Sequence, residues 1–243
     1  MLLQLWQGAL ALISVQRCAL CSAACGLPAP NPSAPVSACA AITEPALCGG
    51  CVEALSLPPA GLRGEDPLPW RALGSYEARL RGVLLAQRPQ PQPPLIRSLA
   101  TLLHARCADR LPGALLVPIP GWRRGGNPLP RLLSRELVRL CGARSAAAPE
   151  LLRRCRATVG QHHLNRRQRL ANQRGSFACG APGRSPVWLV DDILTTGATA
   201  MAAAETLQAA GWKVRGLLCL GRTPLGGAGC DLRSMGRSGD APG

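Results

Sequence analysis

The chain has 243 residues, of which 47% are hydrophobic and 3% aromatic, and its 28 Lys and Arg against 13 Asp and Glu give a formal net charge of +15. This length suits one full α/β domain with a small appendage, and the composition supplies an aliphatic core. No stretch approaches the roughly 18 to 20 continuous apolar residues of a membrane span, and the few aromatic side chains argue against single-stranded nucleic-acid binding by base stacking.

The positive charge has two interpretations. The excess is almost all arginine, because Lys213 is the only lysine. One interpretation is an anionic partner such as a nucleotide, a nucleic acid or a phosphosugar. The other is the coding bias of a GC-rich genome, which would also account for the abundant Ala, Gly and Pro. The sequence leaves both open.

The N-terminal residues 1–15 are apolar, but they lack the basic region and the small-residue cleavage site of a secretory signal. We expect a short helix there, apolar on one side, that packs against the following segment. We also expect a cytoplasmic protein. In that compartment, the twelve cysteines indicate metal ligands or buried thiols rather than disulfides.

Two cysteine pairs have the spacing of metal-binding knuckles. Cys18 and Cys21 form one CxxC element, and Cys48 and Cys51 form the other. Together they offer four thiolates to one tetrahedral Zn²⁺, a structural site. Cys25 and Cys39 lie between the pairs and could replace a ligand, and structural burial or a redox pair is the alternative to zinc. The other six cysteines have no ligand spacing and are expected mostly to fill the core: Cys107, Cys141, Cys155, Cys179, Cys219 and Cys230.

A segment rich in Pro and Gly follows the cysteines and predicts a linker over residues 57–69, with a domain boundary near residue 65. This divides the chain into an N-terminal helix with a Cys-rich zinc module (1–64), a main domain (65–224) and a patternless tail (225–243), which we expect to be disordered.

Strands and helices alternate in the main domain. A strand and a short helix fit residues 70–85, and the later elements are a helix at 95–105, a strand at 114–118, a helix from Pro130, a strand at 187–190, a helix at 199–210 and a strand at 213–220. This alternation predicts an α/β fold with a mostly parallel sheet covered by helices on both faces.

The run from Val187 to Thr199 contains the strongest functional signal. An apolar strand is followed by Asp191 and Asp192, and then by the small and hydroxylated residues Thr195, Thr196, Gly197, Ala198 and Thr199. A tight turn of such residues can aim backbone N–H groups and a helix N-terminus at a phosphate. Carboxylates repel phosphate but suit ribose hydroxyls or a sugar-bound Mg²⁺. The run therefore predicts a sugar-phosphate site, and an ordinary strand–turn–helix corner capped by Asp is the alternative.

A basic loop follows the strand at 114–118 and contains Arg123 and Arg124. Ligands of open α/β sheets bind beyond the carboxyl ends of the strands, so this loop and the turn after Val190 are expected to face one cleft. The two arginines could bind phosphate oxygens there, and an exposed basic turn is the alternative.

The run at 187–199 resembles the 5-phosphoribosyl 1-pyrophosphate (PRPP) signature of type I phosphoribosyltransferases. A further stretch narrows the resemblance to the ComF (ComF/GntX-like) family, which joins a CxxC zinc module to a phosphoribosyltransferase domain. The matching residues of that stretch are Arg156, Thr158, Gln161, Leu164, Arg169, Asn172 and Phe177. Gly221-Arg222-Thr223 matches the basic element that ends the family's sequence pattern. The resemblance covers residues 1–224. Taken alone, the stretch would be a solvated surface excursion.

The ComF resemblance implies a type I phosphoribosyltransferase-like fold and transfer of phosphoribose from PRPP, with Mg²⁺, to an unidentified base or amine. It implies that Arg123 and Arg124 stabilise the leaving pyrophosphate, that Asp191 and Asp192 hold the ribose hydroxyls, and that residues 195–199 hold the 5′-phosphate. The acceptor side or a mobile cover would contain Arg156, Gln161, Arg169 and Asn172.

The chain also departs from the family pattern. Residues 86–89 lack the usual lysine, and residues 124–128 lack the Phe and Gln of an RGFNQ-like element. These departures imply weaker binding of pyrophosphate. Two other functions stay open. The departures favour a PRPP- or nucleotide-binding regulator without turnover, and the family name suggests an accessory of DNA uptake that contacts DNA or competence proteins.

Overall fold

The computed structural model describes residues 17–25, 47–121, 126–142, 145–155 and 175–224. The helix expected over residues 1–15, Cys39, Cys230 and the tail from residue 225 lie outside the described residues. Within the described ranges, none of the helices combines the length and the apolar character needed to cross a membrane.

The helices of the described residues are α1 (Gly49–Ala54), α2 (Ala78–Gln87), α3 (Pro93–Ala105), α4 (Leu129–Cys141) and α5 (Ala198–Ala209). The strands are β1 (Leu62–Gly64), β2 (Trp70–Ser75), β3 (Leu115–Pro118), β4 (Ala146–Ala147), β5 (Leu152–Arg154), β6 (Phe177–Cys179), β7 (Pro186–Val190), β8 (Ile193–Leu194) and β9 (Lys213–Arg222). A short 3₁₀ turn, Ala108–Arg110, precedes β3.

One seven-stranded sheet forms the centre of the fold, in the order β1-β2-β9-β7-β3-β4 with β8 paired to β9. All of these pairings are parallel except that of β1 with β2. Strands β5 and β6 form a separate antiparallel pair. The predicted α/β fold with a mostly parallel sheet is therefore confirmed.

Helices cover both faces of the sheet. On one face, buried leucines of α2, α3 and α4 pack with Leu73, Trp188 and Leu218 of the strands. On the other face, the Ala-rich helix α5 packs with Leu189 and Leu217, and the β5–β6 pair joins the same cluster. The central strand β7 is buried along residues 187–190, as expected of a parallel strand with both faces covered.

The segment expected as a linker is part of the fold. Strand β1 pairs with β2 in this segment, and the side chains of Leu57 and Leu68 are buried. Leu55, in the turn after α1, packs in the same core cluster as the helices of the main domain. Strand β1 has only three residues, too few for an alternation of apolar and polar side chains to be visible in the sequence. The Pro and Gly residues around it therefore predicted a linker. The domain boundary near residue 65 stays a prediction.

Candidate functional site

The acid pair lies at the carboxyl end of β7, where the neighbouring strand β9 holds its backbone. The N–H of Asp191 donates to the carbonyl of Leu218 at 2.9 Å. The carbonyl of Asp192 accepts from the N–H groups of Leu220 and Gly221, each at 3.0 Å. The sheet therefore fixes the position from which both carboxylates extend.

The carboxylate of Asp192 is held by side chains from two distant segments. Its Oδ2 accepts from Arg88 Nε at 2.7 Å and from Asn127 Nδ2 at 2.8 Å. The Asp192 side chain is 4% exposed, whereas that of Arg88 is 38% exposed. Partial burial by itself would lower the pKa of the Arg88 guanidinium. The hydrogen bond to Asp192 and the negative charge of that carboxylate outweigh this effect and raise the pKa. Asp192 is thus already neutralised by a residue of the chain itself.

The carboxylate of Asp191 has different surroundings. Its Oδ1 accepts the backbone N–H of Asp192 at 2.8 Å. Burial and the adjacent charge of Asp192 raise the pKa of Asp191 well above its ordinary value, and the more distant charge of Arg88 offsets this only in part. A cation or hydroxyl donors at this carboxylate would stabilise its ionised form.

The turn after the acid pair leads into the N-terminus of α5. Gly197 is the N-cap residue, with a φ of 77°, in the left-handed region that glycine adopts without strain. Within the described residues, no side chain caps this helix. Its first N–H groups and the positive end of its dipole are therefore suited to an anion. Thr195 is exposed and Thr196 is half-buried, so hydroxyl groups accompany these amides.

The loop after β3 reaches the same edge of the sheet. Ile119 donates its backbone N–H to the carbonyl of Val190 at 2.9 Å, and Asn127 contacts Asp192 from the far end of the loop. Asn127 also accepts the N–H of Leu129 at 3.1 Å and so anchors the start of α4. Both described ends of this loop therefore lie beside the acid pair. Arg123 and Arg124, between them, lie outside the described residues.

The segment after β5 contributes one described cation near this edge. The guanidinium of Arg154 lies over the ring of Phe177, 4.4 Å from its centroid, and its Nε donates to the carbonyl of Pro120 at 3.3 Å. Burial lowers the pKa of Arg154, and the charge of Asp191 acts in the opposite sense. Its neighbours in the sequence signal lie outside the described residues: Arg156, Thr158, Gln161, Leu164, Arg169 and Asn172.

Arg88 and Asn127 are the residues of this site that the sequence does not single out. Arg88 lies in residues 86–89 and Asn127 in residues 124–128, the two segments in which the sequence departs from the family pattern. Gln87, beside Arg88, is buried and accepts the N–H of Gln92 at 2.6 Å, which closes the turn between α2 and α3. An arginine one position after the missing lysine is the signal that could have identified Arg88.

The four cysteines of the two knuckles come together although 26 residues separate the pairs. The Sγ atoms of Cys18, Cys21, Cys48 and Cys51 all lie within 4.8 Å of one another, and those of Cys21 and Cys48 are 3.7 Å apart. Four sulfurs around one zinc at a Zn–S distance of about 2.3 Å lie roughly 3.8 Å apart. The cluster therefore fits a tetrahedral ion, and Cys25 is not one of its four members.

Backbone groups support a thiolate in this cluster. Cys18 Sγ accepts the N–H groups of Leu20 and Cys48, each at 3.4 Å. Burial by itself would raise the pKa of Cys18, but these donors, with that of Cys21, lower it to about 6. Burial and hydrogen bonds with the other thiols raise the pKa of Cys51 to about 12. A bound cation is the partner that would let all four sulfurs be thiolates together.

Comparison with known proteins gives relatives over most of the chain. No family model matches the sequence. The DNA utilization protein YhgH of Salmonella typhi is 31% identical over 223 residues, with 86% of each chain covered. The protein of the same name from Escherichia coli K12 is 29% identical over 241 residues, covering 85% of this chain and 90% of the relative.

Among solved structures, a phosphoribosyltransferase from Corynebacterium diphtheriae is similar, at 17% identity and a TM-score of 0.36, over 62% of this chain and 71% of the other.

The Salmonella protein is the relative that shows the family, because it is 31% identical and the match covers 86% of each chain. This chain belongs to the family of the DNA utilization protein YhgH.

Proposed function

We propose that this chain is a ComF-like phosphoribosyltransferase-domain protein that binds PRPP with Mg²⁺ and transfers its 5-phosphoribosyl group to a base or amine, with release of pyrophosphate. The observation that carries the proposal is the corner after β7. Two carboxylates there precede a Thr- and Gly-containing turn that ends at the N-terminus of α5, which no described side chain caps. The carboxylate oxygens match the hydroxyl groups of a sugar, and the neighbouring N–H donors match its phosphate.

Each part of the corner has a role in this proposal. The N–H groups and hydroxyls of residues 195–199 bind the 5′-phosphate. Asp191 and Asp192 hold the ribose hydroxyls and supply negative potential near the sugar carbon that becomes cationic during transfer. Mg²⁺ bound with PRPP would supply charge neutralisation at the diphosphate, and Asp191 is the described carboxylate best placed to meet it, because Asp192 is already paired with Arg88.

Positive side chains hold the leaving pyrophosphate in this proposal. Arg123 and Arg124 come from the sequence signal, and Arg88 joins them because its guanidinium already lies at the acid pair. Arg156, Gln161, Arg169 and Asn172 serve the acceptor side or cover the reaction from water. Arg154 lies between the loop after β3 and Phe177, and we add it to that side.

We further propose that Cys18, Cys21, Cys48 and Cys51 hold a structural Zn²⁺, and that the chain divides at about residue 65 into a zinc module and the phosphoribosyltransferase domain. None of the ten described cysteines is in a disulfide. Four thiol ligands within one cluster suit a reducing compartment, and we place the protein in the cytoplasm.

A second function has its own support. The relatives are named for DNA utilization, and the chain has a net charge of +15. A catalytically inactive PRPP- or nucleotide-binding protein that assists DNA uptake would keep the corner after β7 and use its excess of arginine side chains to bind DNA or competence proteins.

One experiment separates these functions. Purified protein is incubated with PRPP, Mg²⁺ and a panel of nucleobases and small amines, and released pyrophosphate is measured for the wild type and for Asp191→Asn. We expect release with at least one acceptor and its loss in the variant. Absence of release with every acceptor, together with salt-sensitive DNA binding that Asp191→Asn leaves unchanged, would contradict the transferase and support the accessory role.

A further inference from the structure

We infer that Pro67, Trp70 and Arg222 form a loop support that sets the shape of the phosphate-binding turn from behind. Arg222 is its main positioning residue. The inference rests on the proposed function, because it concerns the turn at residues 195–199 that would bind the 5′-phosphate. It goes beyond that function by assigning a role to a strand terminus and to a segment whose composition suggests only a linker.

Arg222 is a buried cation at the end of β9, with 6% of its surface exposed. Its Nη1 donates to the carbonyl of Leu194 at 3.1 Å and also to the carbonyl of Thr195. The N–H of Thr223 donates to the same Leu194 carbonyl at 2.9 Å. The guanidinium of the last residue of β9 and the amide of the residue after it thus fix Leu194 and Thr195, which lead into the rest of the turn.

These contacts have an electrostatic consequence for an anion. Carbonyl oxygens that face a phosphate oppose its binding, because their partial charge is negative. Hydrogen bonds to Arg222 occupy the carbonyls of Leu194 and Thr195, and the guanidinium adds positive charge directly behind the turn. A positive charge in a poorly solvated position acts over a longer range than one on the surface.

The other two members of the support hold Arg222 and the turn from the side of β2. The Arg222 guanidinium lies 5.3 Å from the centre of the Trp70 ring, in a cation–π contact. Trp70 also donates its Nε1–H to the carbonyl of Asp66 at 3.1 Å, which fixes the segment carrying Pro67. A Cβ placed on Gly197 would lie only 2.3 Å from Pro67 Cγ, so Pro67 packs directly against the turn.

The role of Arg222 predicts a selective defect. Loss of its guanidinium should disturb the 5′-phosphate subsite and leave the diphosphate side, which the proposed function assigns to Arg88, Arg123 and Arg124, largely intact. A residue that only stabilised the fold would weaken both subsites together. Ribose 5-phosphate reports on the first subsite, and Mg²⁺–pyrophosphate reports on the second.

The test is calorimetric binding of these two ligands to full-length protein. We compare the wild type with Arg222→Met, Arg222→Lys and the control Arg215→Met, which changes an exposed arginine of the same strand. We expect Arg222→Met to weaken ribose 5-phosphate binding by about tenfold or more and pyrophosphate binding by less than about twofold. Arg222→Lys should lie between, because it keeps the charge but loses the planar fork. The control should bind both ligands as the wild type does.

The outcomes are distinguishable. If the wild type binds ribose 5-phosphate and a folded Arg222→Met binds it equally well, the inference is overturned. Equal weakening of both ligands would also overturn it, because that result indicates a general structural role. If Arg222→Met does not fold, the same comparison on Arg222→Lys decides. A wild type that binds neither ligand would overturn the proposed function, and the inference with it.

Discussion

Asp191 and Asp192 are adjacent in the chain, yet their carboxylates have different electrostatic surroundings. Asp192 is neutralised by Arg88 and accepts a second bond from Asn127. Asp191 is partly buried beside a like charge, and both effects raise its pKa. One carboxylate therefore contributes to the stability of the ligand-free protein, and the other costs free energy whenever it is ionised.

This difference predicts opposite effects of the same chemical change on stability. Asp191→Asn should increase the free energy of unfolding by about 1 kcal/mol, because it removes a poorly solvated charge and keeps an oxygen for the N–H of Asp192. Asp192→Asn should decrease it by about 1 to 3 kcal/mol, because hydrogen bonds to a charged acceptor are lost. Urea unfolding of both variants at neutral pH measures the two effects. Destabilisation of similar size in both variants would contradict the assignment.

The stabilisation by Asp191→Asn should depend on pH. Between the ordinary Asp pKa of 3.8 and the raised value of the native state, the native carboxyl retains a proton that the unfolded chain has lost. The stability of the wild type therefore falls through this window as pH rises, relative to the variant. The difference between the two proteins should be small near pH 4 and reach a plateau at higher pH. A difference independent of pH would show that Asp191 is not the group responsible.

The Cys-rich segment is an element whose geometry depends on four side chains rather than on regular structure. Helix α1 has six residues, and its N-cap residue is Cys48, so the second knuckle opens this helix. Leu55, directly after α1, belongs to the core cluster shared with the main domain. We expect loss of the metal to disturb that packing as well as the knuckles.

This account predicts about one zinc per chain by elemental analysis, and loss of zinc in the Cys48→Ser/Cys51→Ser variant. The melting temperature should fall with the metal, because a structural ion contributes its binding free energy to folding. Cys155→Ser is the matched control, since it removes an exposed thiol outside the cluster, and it should retain zinc. A metal-free wild type of full solubility would contradict the prediction.

Long elements with strong patterns could be predicted from the sequence, and short ones could not. The apolar run of β7 and the Ala-rich α5 have the burial that their composition indicates. Strand β1, with three residues, pairs with the next strand, β2, and β4, with two residues, pairs with the more distant β3. Both are too short to leave a local signal. The segment carrying β1 therefore resembled a linker.

At the scale of the whole molecule, the sheet brings together what the chain separates. Arg88 lies 104 positions from Asp192, and Asn127 lies 65 positions from it. The order of strands predicts that the two loops meet at one edge, but it cannot predict which side chains touch there. The acid pair and the glycine turn could be identified locally. The contacts of Arg88 and Asn127 with Asp192, and those of Arg222 with the turn, required the fold.

A ligand that binds only the native state should stabilise the whole molecule. We predict that PRPP with Mg²⁺ raises the melting temperature of the wild type and leaves that of Asp191→Asn/Asp192→Asn unchanged, as measured by differential scanning fluorimetry with Mg²⁺ alone as the control. An equal rise in the double variant would refute the placement of the sugar at the acid pair.

The most direct measurement is a crystal structure of the wild-type protein soaked with PRPP and Mg²⁺. The account predicts electron density for the 5′-phosphate over the backbone amides of residues 195–199, with the ribose hydroxyls within hydrogen-bonding distance of the acid pair. Density for the compound at another place on the protein, or no density at saturating concentration, would contradict it.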